Sequence, residues 1–258
     1  MKKLILSLHL ITFVFLGLGD CRGAEKDANG KGIKYTPVTS MSDDFENGIQ
    51  LTVDKWHKRI NQTSKGKPGN KGNSLETSTK QAHSGKYSLK TFTIASPEAQ
   101  KSGLARELLL FPEGSEFWFS AWYYIASGNP TKDLYLFELE ATRYQYVGRR
   151  LVLGGAKGDA IYVEAKIQTG DKFYQSGTPT PFPKDKWVHL TFHLHLSSRS
   201  DGLTEVWQDD KKIIEGHGQN MPSGQVYDWI TVGQANNVTH HAQTVYVDDV
   251  VVSDKPIK

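Results

Sequence analysis

Apolar and polar residues alternate with a period of two along most of this chain, as in strands that bury one face. Residues 161–168 give the cleanest case. Ile161, Val163, Ala165 and Ile167 fall on one side; Tyr162, Glu164, Lys166 and Gln168 fall on the other. Residues 134–141 set Tyr135, Phe137 and Leu139 against Glu138 and Glu140. Residues 187–196 set Val188, Leu190, Phe192, Leu194 and Leu196 against His189, Thr191, His193 and His195. Residues 203–207, 230–232 and 244–252 add three strands, and residues 83–90 read as a turn entering another. No long stretch keeps a 3.6-residue period with caps. Short alternating strands divided by Gly, Pro, Asn and Asp turns predict an all-β sandwich of two antiparallel sheets.

One strand is aromatic on both sides. In residues 117–125, Phe117, Phe119, Ala121, Tyr123 and Ile125 face one way, and Trp118, Ser120, Trp122 and Tyr124 face the other. A central strand is expected, with the first set in a core and the second lining a groove or buried in turn. Indole and phenol planes stack on the C–H faces of sugars, so Trp118, Trp122 and Tyr124 are candidate glycan contacts.

Length, charge and ends narrow the picture. A chain of 258 residues without internal repeats or a second composition regime suits one domain, expected over residues 43–258. The net charge of +3 comes from dispersed Lys and Arg, so nothing calls for nucleic acid. The single cysteine, Cys21, excludes a disulfide framework. Lys2 and Lys3 precede an apolar run over residues 4–19, which predicts an export signal within residues 1–23. Cys21 directly after that run resembles a lipoprotein attachment point, although Asp20 is not the small residue usual before it. The expected location is periplasmic, outer-membrane lipoprotein or extracellular, with membrane contact only through that anchor. Polar residues 24–42 read as a tether, and the Lys-, Gly-, Asn- and Ser-rich residues 61–78 as a loop.

Several side chains carry candidate chemistry. Arg106 can meet a carboxylate bidentately, or it can pair with Glu107 or Glu138. Tyr146, beside Arg143, Arg149 and Arg150, is a candidate base, and His241, in a loop after Asn236, a candidate proton shuttle. Glu138 and Glu140 lie about 6.5–7 Å apart along one strand face. They form a candidate glycosidase pair, or join Tyr162, Lys166 and Gln168 in contacting sugar. His189, His193 and His195 share a face at a spacing too wide for two adjacent zinc bonds.

Three stretches give the chain a family resemblance. HSGKYSLK at residues 83–90, the Trp-led segment 187–213 and VYVDDVVVS at residues 245–253 resemble the concanavalin A-like jelly roll. Together with Arg106-Glu107-Leu108 and EFWFSAWYYI, they look most like its heparin lyase I-like and alginate lyase-like branch. The resemblance implies a jelly-roll sandwich and β-elimination on uronate polysaccharide, by an enzyme using Arg106 with a nearby Tyr or His. A non-catalytic, lectin- or laminin G-like glycan-binding module is the alternative, and a glycoside hydrolase a third reading. Two usual catalytic positions are not matched: residues 137–141 hold no His, and Gly233 is followed by Gln234, Ala235 and Asn236 rather than Tyr. The resemblance further implies structural Ca²⁺ at Asp44, Glu46, Gly85 and Asp248, where first and last strands meet. No organic cofactor is expected, and the protein is expected to act as a monomer on its polysaccharide.

Overall fold

The computed structural model describes residues 36–52, 54–63, 71–143, 147–154, 158–166 and 172–257. Its strands are β1 (Met41–Asp43), β2 (His57–Thr63), β3 (Ser74–Ser78), β4 (Ser88–Thr93), β5 (Gln100–Arg106) and β6 (Phe111–Pro112). There follow β7 (Glu116–Ile125), β8 (Leu134–Ala141), β9 (Val147–Leu153), β10 (Ile161–Lys166), β11 (Lys172–Phe173) and β12 (Trp187–His195). The chain closes with β13 (Leu203–Gln208), β14 (Lys211–His217), β15 (Val226–Tyr227), β16 (Trp229–Asn237) and β17 (Gln243–Ser253).

Two large antiparallel sheets form the all-β jelly-roll sandwich. The eight-stranded sheet runs β14-β13-β12-β7-β17-β4-β3, with β1 also on β17; the seven-stranded sheet runs β11-β10-β9-β8-β16-β5-β2. Phe117, Phe119, Ala121, Tyr123 and Ile125 of β7 are fully buried between them. Across the layer they meet Phe137 of β8, whose ring lies 4.0 Å from that of Phe119. Each such Phe contributes about 1.5–3 kcal/mol by leaving water.

Three sequence expectations change. Strands β2 and β3 occupy parts of the supposed loop at residues 61–78; its middle, residues 64–70, lies outside the described residues. The supposed tether reaches into the fold, since Val38 N–H donates to the Leu108 carbonyl at 2.8 Å and β1 pairs with β17. The export signal and Cys21 lie outside the described residues. In β8 a register shift between Tyr135 and Phe137 lets both Leu136 and Phe137 enter the core. This β-bulge moves Tyr135 off the side of Phe137 and Leu139 and onto that of Glu138.

Candidate active site

The outer face of the seven-stranded sheet collects its charges by register. Directly paired residues share a face, and the pairings run His57–Ala105–Thr231–Glu138–Arg150–Glu164–Lys172 from one edge to the other. A second row beside it runs Trp229–Glu140–Gly148–Lys166. The neighbouring residues in each strand, such as Leu104, Ile230, Leu139, Leu151 and Val163, point into the core. Gly148 explains how Lys166 reaches across β9 to Glu140. A Cβ there would stand 1.7 Å from the Leu139 carbonyl oxygen, so the strands approach too closely for any other residue.

Burial makes this cluster unusual. Glu138 and Glu140 are wholly inaccessible to solvent. Glu138 is held by Arg150 Nε at 3.0 Å, Lys101 Nζ at 3.6 Å and Lys166 Nζ at 3.7 Å; Lys166 also pairs with Glu140. Arg150 Nη1 reaches Glu164 at 3.3 Å and Lys172 reaches it at 2.8 Å. Desolvation pushes the Glu138 carboxyl up, but Lys101, Lys166, Arg150 and Arg59 together hold it below the usual carboxylate range. Burial pulls both lysines down: Lys101 lies below its ordinary value, and Lys166 falls to about 8 despite Glu138, helped by the charges of Lys101 and Arg59. Arg59 follows His57 on β2, with its guanidinium carbon 5.5 Å from the Trp229 ring centre. Tyr135 lies 4.9 Å beneath Arg150, and burial raises its hydroxyl pKa.

The predicted site residues do not form one site. Glu138, Glu140, Tyr162 and Lys166 share this face, with Tyr162 bonded to Asp133 at 2.9 Å. As a glycosidase pair the two glutamates fail chemically, because both are buried in ion pairs and Glu138 is kept ionised. Arg106 pairs with Ile230 on β16, which puts its side chain on the other side of β5 from Ala105. Its Nη1 donates to the Lys55 carbonyl at 3.3 Å, and burial lowers its pKa. It therefore neither meets Glu138 nor faces the charged row. His241 is exposed in the turn between β16 and β17, its carbonyl accepting from Asn237 Nδ2. Tyr146 and Gln168 lie outside the described residues.

Trp118, Trp122 and Tyr124 lie on the opposite side of the molecule, on the outer face of the eight-stranded sheet, beside His193, His189 and Trp187 of β12. Trp122 is sandwiched between two imidazoles, His83 at 3.7 Å on the β17 side and His189 at 4.9 Å on the β12 side. Trp118 lies parallel to His193 at 3.9 Å, and Tyr124 meets Trp187 edge to face. The Trp122 faces that a sugar would need are covered by the protein's own rings. His193 is spent between Glu205 at 2.8 Å and Glu116 at 2.7 Å.

The calcium expectation concerns the junction of β1, β17 and the 83–87 turn. Glu46 Oε1 accepts the N–H groups of Lys86 and Tyr87, each at 2.7 Å, and Gly85 packs so tightly that a Cβ would lie 2.5 Å from that carboxyl. Asp248 Oδ2 accepts from His83 N at 2.9 Å and Ser84 N at 3.3 Å, while Asp44 accepts from Glu46 N at 3.2 Å. Burial and the neighbouring Asp249 raise Asp248 to about 6. The donors are hard oxygens, as calcium requires. Among the described residues, however, no three His, Cys, Asp or Glu side chains converge, so turn carbonyls would have to complete any cage.

Lys101, Arg59, Arg150, Glu164 and Lys172 are charged-face residues that the sequence reading did not select. Lys101 shares the parity of Gly103 and Ala105 in QKSGLAR, where small residues on alternate positions mark a face left open to long neighbours.

The fold has clear relatives among solved structures. The cellulose-induced protein Cip1 superposes with a TM-score of 0.62 at 15% identity, covering 84% of this chain and 98% of its own. The endo-β-1,4-glucuronan lyase of the fungus Trichoderma reesei gives 0.58 at 11% identity, over 75% and 93% of the two chains. The alginate lyase Aly36B gives 0.53 at 11% identity, over 87% and 100%. These identities speak for the sandwich alone, and no curated protein matches the chain by sequence. The family model described as polysaccharide lyase matches residues 49–251, nearly the whole described fold, and the chain belongs to that family.

Proposed function

We propose that this protein is a polysaccharide lyase that cleaves a uronate-containing polymer on the outer face of the seven-stranded sheet, with Lys166 as the base. The observation that carries the reading is the placement of Lys166, whose Nζ lies beside the buried Glu138 and Glu140 carboxylates and whose pKa burial draws down to about 8. Arg59, Lys101, Arg150, Lys166 and Lys172 stand there with Glu138, Glu140 and Glu164, while Glu107 pairs with His57 and Asp133 with Tyr162. Arg59, which has no carboxylate within ion-pair distance among the described residues, is the cation of this face open to a polyanion. The names of the glucuronan and alginate lyases above fit the same substrate class.

The chemistry follows from a neutral amine. Lys166 Nζ takes the proton at C5 of the uronate, the C–H electrons form the C4–C5 double bond, and the C4–O bond breaks. The ammonium so formed can return that proton to the departing glycosidic oxygen when both lie on one side of the sugar, so one residue serves as base and then acid. Negative charge growing on the uronate carboxylate is stabilised by the cations of the face. Glu138 and Glu140 stay ionised or paired throughout, fixing Lys166 and Lys101 in place.

The test is elimination itself. The purified protein, incubated with a panel of uronate polymers, should release products with the ultraviolet absorbance of an unsaturated uronate, and Lys166→Ala should slow that release by about 10²–10⁴-fold. Polymer binding without that absorbance would retire the lyase in favour of a glycan-binding module. Calcium at the β1–β17 junction is carried forward as part of this proposal, held by Glu46, Asp248 and carbonyls near Gly85. Its role there is structural, since that junction lies on the other sheet from Lys166. Export, inferred from residues 1–23, belongs to the same reading, because a polymer too large to enter a cell must be met outside it.

A further inference from the structure

We propose that Arg59 and Trp229 form a carboxylate-recognising subsite that holds the uronate next to the one being cleaved; this rests on the lyase reading. Each other cation of the charged face is committed. Lys101, Arg150 and Lys166 pair with Glu138 or Glu140, and Lys172 with Glu164. Arg59 is different: among the described residues no carboxylate lies within ion-pair distance of it, and its buried Nε has no hydrogen-bond partner. Its guanidinium lies instead over the indole of Trp229. That indole is fixed by its own Nε1 donating to Thr231 Oγ1 at 3.2 Å, and by a near-parallel His57 ring at 6.1 Å.

The position of this pair matches its proposed task. Trp229 is directly paired with Glu140, the partner of Lys166. Its backbone therefore stands one strand spacing, about 4.8 Å, from that of Glu140, whose carboxylate holds the Lys166 Nζ, so consecutive sugars of one chain can reach both. A planar guanidinium with unspent donors takes a carboxylate bidentately, while Trp229, under that guanidinium and beside the His57 ring, holds the fork in position. A neutral polymer would gain nothing from that fork. The site thus selects for uronate at two consecutive positions rather than one.

Steady-state kinetics of Arg59→Gln and Arg59→Lys on a polyuronate test this. Arg59 also depresses the Lys166 pKa, so each protein is assayed on the high-pH plateau of its own rate profile, where Lys166 is neutral. Arg59→Gln is expected to raise KM by about 10–100-fold, the range for losing one charged hydrogen-bonded contact, with kcat within about threefold. Arg59→Lys, which keeps the charge without the fork, is expected between that and wild type. Binding of the same polymer to inactive Lys166→Ala protein should weaken by the same factor when Arg59→Gln is added. An unchanged KM and affinity in a folded Arg59→Gln protein, or in Arg59→Lys should Arg59→Gln not fold, overturns the subsite and leaves the lyase standing. A wild-type protein that neither binds nor cleaves any polyuronate overturns both.

Discussion

The pH dependence of elimination is the sharpest consequence of the structure. Burial lowers Lys166 from an ordinary 10.5 to about 8, against the pull of Glu138. At pH 7.5 a lysine of pKa 8 is neutral in roughly a quarter of molecules, whereas one of pKa 10.5 is neutral in roughly one in a thousand. The environment of Lys166 therefore raises the competent fraction roughly 200-fold. kcat/KM should climb tenfold per pH unit below the midpoint and level off above about pH 8, the midpoint in the free enzyme. Initial rates of unsaturated-product formation from pH 5.5 to 10 would trace it. Lys166→Ala should cost about 10²–10⁴-fold across the plateau. Two results would refute the reasoning: a flat profile between pH 7 and 9, or Lys166→Ala with an unaltered limb, which would assign the proton transfer to another group.

Three further outcomes follow. Glu138→Gln leaves Lys101, Arg150 and Lys166 without their shared carboxylate; it should lower stability by about 3–5 kcal/mol and move the activity limb to lower pH, measured by denaturant melts and the same pH series. Trp122→Ala should leave polymer affinity within about twofold while costing about 1–3 kcal/mol of stability, because both indole faces pack on His83 and His189; a large loss of affinity in calorimetry would restore the aromatic face as the glycan site. Asp248 has a folded pKa raised from 3.8 to about 6, so the native state binds the extra proton and stability from this group falls as pH rises from about 4 through 6. Calcium should reverse that loss, raising Tm at pH 7 but not at pH 4, and Asp248→Asn should erase the difference; equal Tm with calcium and with chelator would remove the metal.

The fold was legible wherever alternation was strong. The β7 core face and the polar sides of β10 and β12 were read correctly from parity alone, because a buried face admits only one register. Tyr135 escaped because a bulge breaks parity without leaving a Gly or Pro in the sequence. Glu138, Glu140, Tyr162 and Lys166 were selected as polar faces of separate strands. Their union with Lys101 and Arg59 was not legible, because β8, β9 and β10 are joined to β5 and β2 through β16, which comes later in the chain than all of them. Which strands share a sheet decides the site, and parity says nothing about that.

The aromatic strand shows the same limit from the other direction. Trp118, Trp122 and Tyr124 have the composition of a sugar platform, but platforms need an uncovered plane. Here β12 and the 83–87 turn supply imidazoles at stacking distance, so the indoles act as struts between strands. The single tryptophan on the charged face, Trp229, was passed over because it sits beside an Asp in a short, unremarkable run, YDWITV. Its neighbours differ in kind: a cation with unspent donors lies over it, and a carboxylate–lysine pair flanks it. Aromatic density therefore located a structural seam, while the charged row on small-residue strands marks the face proposed for the chemistry. For a polymer that carries a negative charge on every sugar, that is the order of importance that electrostatics would set, since an unpaired guanidinium discriminates uronate from neutral sugar and an indole does not.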